Sequence, residues 1–213
     1  MVDLMKWEST VHPPPIEELR RRTQESFSYK YIKYMYARFK NECPSGRMKI
    51  NEFRTMFGPY LPERVSEDYF RRLFNAFSRN KEEITFQDLM ETLALLSSSS
   101  PTSNAQWAMR MIKGDDASNI TYPEFSEFVK SAYHFSKSPK KYSSTTIDPT
   151  KSNAIITEAI ARRTEECFAA LDKDGDGLIH TDDMIHFFQE VENVTCRQAK
   201  TSTERRRATL EAA

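Results

Sequence analysis

The 213-residue chain has no surplus of either charge, with 31 Lys and Arg against 31 Asp and Glu. Such a balance creates no overall field for nucleic acid or an anionic membrane, so a partner must be sought in local surfaces. Cysteine is also scarce. Cys43, Cys167 and Cys196 are odd in number and lack Cys-x-x-Cys spacing, which suggests reduced intracellular thiols and no zinc site. His12, His134, His180 and His186 form no constellation with a cysteine, serine or carboxylate pair, so no catalytic residues are expected. No apolar run approaches membrane-spanning length. The start, Met1 to Trp7, has neither a signal h-region nor a second-position glycine, so the expectation is a soluble, cytoplasmic chain without a direct lipid anchor.

The chain does have aromatics (14 Phe and 9 Tyr) and a repeat. Ile32, Met35, Tyr36 and Phe39 fall at i, i+3, i+4 and i+7, the spacing of one helix face. Phe70, Leu73, Phe74 and Phe77 repeat it. A second set of offsets recurs after each loop: Phe53, Met56, Phe57 and Tyr60, then Leu89, Thr92, Leu93 and Leu96, then Phe125, Phe128, Val129 and Ala132, then Met184, Phe187, Phe188 and Val191. Each set follows an acid, at Glu52, Asp88, Glu124 and Asp183. The spacings of 36, 36 and 59 residues indicate a regular period interrupted by an insertion before the fourth unit.

The fourth loop, residues 172–183, carries the chemistry. Asp172, Asp174 and Asp176 occupy loop positions 1, 3 and 5, Gly177 position 6, and Asp183 position 12. Oxygens at every second residue of a tightly curled loop converge on a hard cation, which is the pattern of an EF-hand calcium loop. The expected ligands are Asp172, Asp174, Asp176, the Leu178 carbonyl and Asp183, with His180 at most holding a water. At position 12, Asp is one methylene shorter than the usual Glu. A single oxygen there leaves a smaller shell, weakening calcium and letting magnesium compete.

The other three loops lack this set. The first has Asn41, Cys43 and Ser45 at positions 1, 3 and 5 and Pro44 between them. The second, Ser78 to Ile84, lacks the turn glycine and is one residue short. The third puts Lys113 at position 1, Ala117 at position 5 and Ser118 in place of the glycine, and an ammonium at that point disfavours a metal ion. One divalent site is therefore expected.

The expected fold is all-α, a two-lobed arrangement of four EF-hand helix–loop–helix units. Loops pair at position 8, Met48 facing Ile84 and Ile120 facing Ile179. Residues 1–26 read as a flexible N-terminal arm, with Pro13-Pro14-Pro15 followed by a short helix or a solvated stretch. The N-terminal pair spans 27–100, and Ser97 to Pro101 marks the boundary. The C-terminal pair spans 101–193, including a polar, aperiodic insertion at 136–153, and 194–213 form a polar basic tail.

Phe39-Lys40-Asn41-Glu42-Cys43-Pro44-Ser45-Gly46, with its Cys-Pro in a ligand-poor first loop, resembles the neuronal calcium sensor family, most nearly the Kv channel-interacting branch. Leu73 to Phe77, Ile84 to Asp88 and Trp107-Ala108 are similar to that branch at matching positions. The resemblance implies an aromatic groove in the N-terminal lobe that takes an amphipathic helix of a target, with the cytoplasmic part of a potassium channel as the target class. It also implies a plasma-membrane location through that partner. Calcium in the third and fourth loops is usual in such proteins, and the third loop here departs from that. Candidate groove residues are Phe53, Phe57, Phe70 and Phe74. The alternative is a constitutive structural or adaptor subunit, with magnesium in the fourth loop and no calcium switching.

Overall fold

The structure, a computed structural model, describes residues 11–62, 65–136 and 149–195. It is mostly helical, with only two short pairs of strands among the described residues. Helix α1 (Ile16–Arg22) precedes four helix–loop–helix units. These are α2 (Tyr29–Glu42), β1 (Arg47–Met48) and α3 (Ile50–Phe57); α4 (Glu67–Ser78), β2 (Ile84–Thr85) and α5 (Phe86–Ser97); α6 (Pro101–Lys113), β3 (Asn119–Thr121) and α7 (Tyr122–Ser136); and α8 (Pro149–Leu171), β4 (Leu178–His180) and α9 (181–195).

Local chemistry sets the helix starts. The hydroxyls of Ser28, Ser66 and Ser100 accept the backbone N–H groups of Tyr31, Tyr69 and Ser103, and Pro101 fills a first helical position that needs no donor. Thr85 and Asp88 form a reciprocal capping box at α5. The serine run at 97–100 is therefore a tight joint. It ends α5 and caps α6.

Each short strand pairs with its counterpart in antiparallel register. Met48 stands opposite Ile84, and Ile120 opposite Ile179, as their loop positions predict. All four side chains are fully buried. The loops are thereby tied in twos, and each pair sits over its own apolar cluster. One cluster contains Phe39, Phe53, Phe70, Phe74, Phe77 and Leu89; the other contains Met109, Ile112, Phe125, Phe168, Leu171 and Met184.

Helix α6 belongs to both. Ala105, Met109 and Ile112 face the second cluster, while Trp107 packs edge-on against Phe77 of the first, with ring centroids 5.7 Å apart. Arg72 on α4 donates to the Ile112 carbonyl at 3.0 Å. The boundary at residue 100 is thus a boundary in the sequence across which side chains pack.

Three segments differ from their sequence-based reading or pass out of view. Residues 1–10 of the expected arm lie outside the described residues, but 16–22 form α1, and its Leu19 is only 2% exposed within the first cluster. Burial of one leucine and of the Thr23 side chain ties this part down. Of the expected insertion, 137–148 lie outside the described residues, and from Pro149 onward the chain is already helical. Of the tail, 196–213 lie outside them, while residues 194 and 195 continue α9. On α9, Met184 is buried and Phe188 half-buried, but Phe187 and Val191 are exposed, so the expected stripe is only partly used. No helix among the described residues is long and apolar enough to cross a membrane.

Candidate metal centre

Helix α8 ends at Leu171, and the Asp172 N–H still donates to the Phe168 carbonyl at 2.8 Å. The chain then curls on itself. Gly175 and Gly177 have φ of +72° and +84°, which residues with a side chain adopt only with strain. In this curl the loop amides fix its carboxylates. Gly175 and Gly177 donate to the two oxygens of Asp172 at 2.9 and 3.0 Å, Asp176 donates to Asp174 at 3.3 Å, and Leu178 donates to Asp176 at 2.8 Å.

The consequence is convergence. One carboxylate oxygen from each of Asp172, Asp174 and Asp176 lies within 4.8 Å of the others. Oxygens bound to calcium at 2.3–2.6 Å stand roughly 3.3–5 Å apart, and the spacing of this triad lies within the upper end of that range. The side chains are largely exposed, so water screens their mutual repulsion while the loop is without a cation.

Asp183 lies outside this group of three. One of its oxygens, Oδ2, accepts the His180 backbone N–H at 2.8 Å, where it caps α9. Leu178 lies in β4 opposite Thr121, directly after the triad. Position 9 of the loop pattern gives His180 no more than a water to hold. In the structure its Nε2 lies 2.9 Å from Asp176 Oδ2, and this hydrogen bond raises the histidine pKa and lowers that of the aspartate. Their spacing carries no signal of this contact, because side chains four residues apart meet on a helix and these two lie in a loop and a strand.

The second and third loops carry internal cations. In the third, the Lys113 ammonium lies 3.0 and 3.1 Å from the two Glu124 carboxylate oxygens. Burial pushes the Glu124 pKa up. Hydrogen bonds from Thr121 and the charge of Lys113 outweigh that and hold it below the ordinary value. In the second, Lys81 lies 3.2 Å from Asp88, whose side chain is otherwise capped by Thr85. Both position-12 carboxylates therefore already face an ammonium. The second loop makes its turn without glycine, using left-handed Arg79 and Asn80. Their strain is offset by contacts: Arg79 pairs with Glu91, and Asn80 donates to the Lys113 carbonyl and to Asp115.

The groove candidates fall together. Phe53 is fully buried, with ring centroids 4.7–5.6 Å from Phe57, Phe70, Phe74 and Phe77. Phe70 and Phe74 are buried as well, and Phe57 is half-buried. Next to them an open cavity of about 400 Å³ is lined by Gly58, Pro59, Leu61, Pro62, Val65 and Phe70, with the Arg54 guanidinium over the Phe70 ring at 4.1 Å. No protein-family model matches the chain.

Proposed function

We propose that the chain is a regulatory protein of the four-EF-hand type that binds one divalent cation, calcium with magnesium competing, in the loop 172–183. The observation that carries this is the convergence of Asp172, Asp174 and Asp176 between two helices, in a loop tied by Ile179 to a neighbour whose own cation is Lys113. Asp172, Asp174, Asp176 and the Leu178 carbonyl would hold the ion, and Asp183 would add one oxygen on release of the His180 amide or through its other oxygen. The ion supplies charge neutralisation and holds the loop closed. It carries no reaction, and no enzyme activity is proposed.

The effector surface on this reading is the N-terminal aromatic cluster, which binds an amphipathic helix of a target. The open cavity beside Phe70 supports it, as does half-buried Phe57. The resemblance of Phe39 to Gly46 to neuronal calcium sensors makes the cytoplasmic part of an ion channel the proposed target class, reached in the cytoplasm or at the plasma membrane through that partner. A second reading, a constitutive adaptor without calcium switching, is favoured by Lys81–Asp88 and Lys113–Glu124, which close two loops without any ion.

Calorimetry with calcium and then magnesium tests the metal reading. One equivalent is expected, with calcium at or weaker than about 10⁻⁵ M; two or more strong sites would refute it. Target-helix binding in calcium, in magnesium alone and in chelator separates the readings, because only the first requires the affinities to differ.

A further inference from the structure

The first loop holds no metal-ligand set, yet it is in contact with another part of the chain. The Val11 N–H donates to the Ser45 carbonyl at 2.9 Å. The Val11 carbonyl sits so close to Gly46 that a Cβ there would lie 2.2 Å from its oxygen. Gly46 also has φ of +79°, so its missing side chain serves both the turn and this close approach. From Val11 the chain runs through His12, Pro13 and Pro14 to Pro15, whose φ of −50° and ψ of 148° lie near polyproline II geometry. It passes over a floor made by Tyr36, Phe39 and Phe86, with Tyr36 and Phe86 edge to face at 5.0 Å.

An extended prolyl segment on an aromatic floor is a recurrent mode of peptide recognition, because the segment is already ordered and loses little entropy on docking. The fit is incomplete. A cavity of about 110 Å³ is left between Pro13-Pro14 and the aromatic floor, several times the roughly 30 Å³ that one water occupies.

We propose that the first loop, with α2 and the start of α5, forms a docking groove for a proline-rich segment of a partner protein, and that residues 11–15 occupy it in cis as a competitor. A partner segment with a bulkier apolar side chain beside its prolines fills the space that the strap leaves. Binding exchanges one prolyl segment for another and leaves the helices in place. The groove lies on the first loop, so it operates whether or not the fourth loop holds an ion.

The test uses the full chain, isotope-labelled, with a synthetic peptide copied from residues 9–17 and a scrambled control without adjacent prolines. Val11→Pro removes the amide that donates to Ser45 and so loosens the strap while leaving the groove intact. One backbone hydrogen bond is worth about a fivefold change in the competing equilibrium, so the peptide should bind Val11→Pro about fivefold more tightly than wild type. Amide shifts should centre on residues 45–47 and 85–87. Gly46→Ala sets a Cβ against the strap and the peptide alike, so adding Val11→Pro to it should bring no further gain in peptide affinity. If the strained glycine position keeps that variant from folding, the Val11→Pro comparison decides alone. Equal affinity of wild type and Val11→Pro, equal binding of the scrambled peptide, or shifts confined to other residues would each overturn the proposal.

Discussion

Lys113→Asp reverses the charge at the first position of the third loop and tests why that loop would exclude a cation. In the wild type the ammonium sits 3.0 Å from Glu124. The two side chains are 23% and 37% exposed, so solvent screens the attraction and the pair is worth about 1 kcal/mol. Replacing Lys with Asp removes that and sets a carboxylate near Asp115 and Glu124, which should cost about 1 kcal/mol more. At roughly 2–4 °C per kcal/mol for a chain of this size, unfolding in chelator should come about 4–8 °C earlier. The same change supplies oxygens at positions 1, 3 and 12. With calcium at a hundredfold excess over its dissociation constant, binding to the native state restores about 2.7 kcal/mol. The variant should therefore regain about 5–10 °C in calcium, and its calorimetric stoichiometry should rise from one to two. Lys113→Met separates the terms, because it loses the ion pair without gaining a ligand oxygen and should show the smaller loss with no second site. A Lys113→Asp variant that melts at the same temperature in calcium and in chelator, with stoichiometry still one, would refute the idea that this ammonium stands in for the ion.

Phe53 is fully buried among four other phenylalanine rings, so Phe53→Ala should lower stability by about 3–5 kcal/mol; half-buried Phe57→Ala should cost less stability but weaken an amphipathic peptide, and intact peptide affinity in both would remove the groove reading. Acid should release the third loop: the Glu124 carboxyl titrates below its ordinary value, so its contribution is complete above an unfolded-state pKa of about 4.3 and is lost as pH falls through the lower native value. A melting-temperature profile in Glu124→Gln should lack that component, and an identical profile would count against it. Cys43 should resist alkylation at neutral pH, because it is only 2% exposed, and burial, with the charges of Glu52 and Glu42, pushes its thiol up to about 11. Mass spectrometry should find half-buried Cys167 modified before Cys43, and rapid labelling of Cys43 in the native chain would contradict the packing of the first loop.

Much of the helical framework can be read directly from the sequence, because its determinants are local. The i, i+3, i+4 and i+7 stripes, the Ser and Thr caps and the oxygens at alternate residues of 172–176 operate within a few turns of chain. Met48 and Ile84, like Ile120 and Ile179, could be paired from loop position alone, since equivalent positions of a repeat meet in register. Tertiary structure decided what depends on where distant segments return. Nothing local to Gly46 shows that Val11 presses on it, or that Gly114 must be small because the Asn80 amide lies against it. The stripes with Phe53 and Phe57 on α3 and with Phe70 and Phe74 on α4 mark buried helix faces, but only packing determines that Phe53 is enclosed while Phe57 stays half open. Trp107 follows the serine joint, yet it packs against Phe77 across it. Periodicity specifies which face of a helix is apolar; the surface that covers that face is set by closure of the whole chain, which no window of a few residues contains.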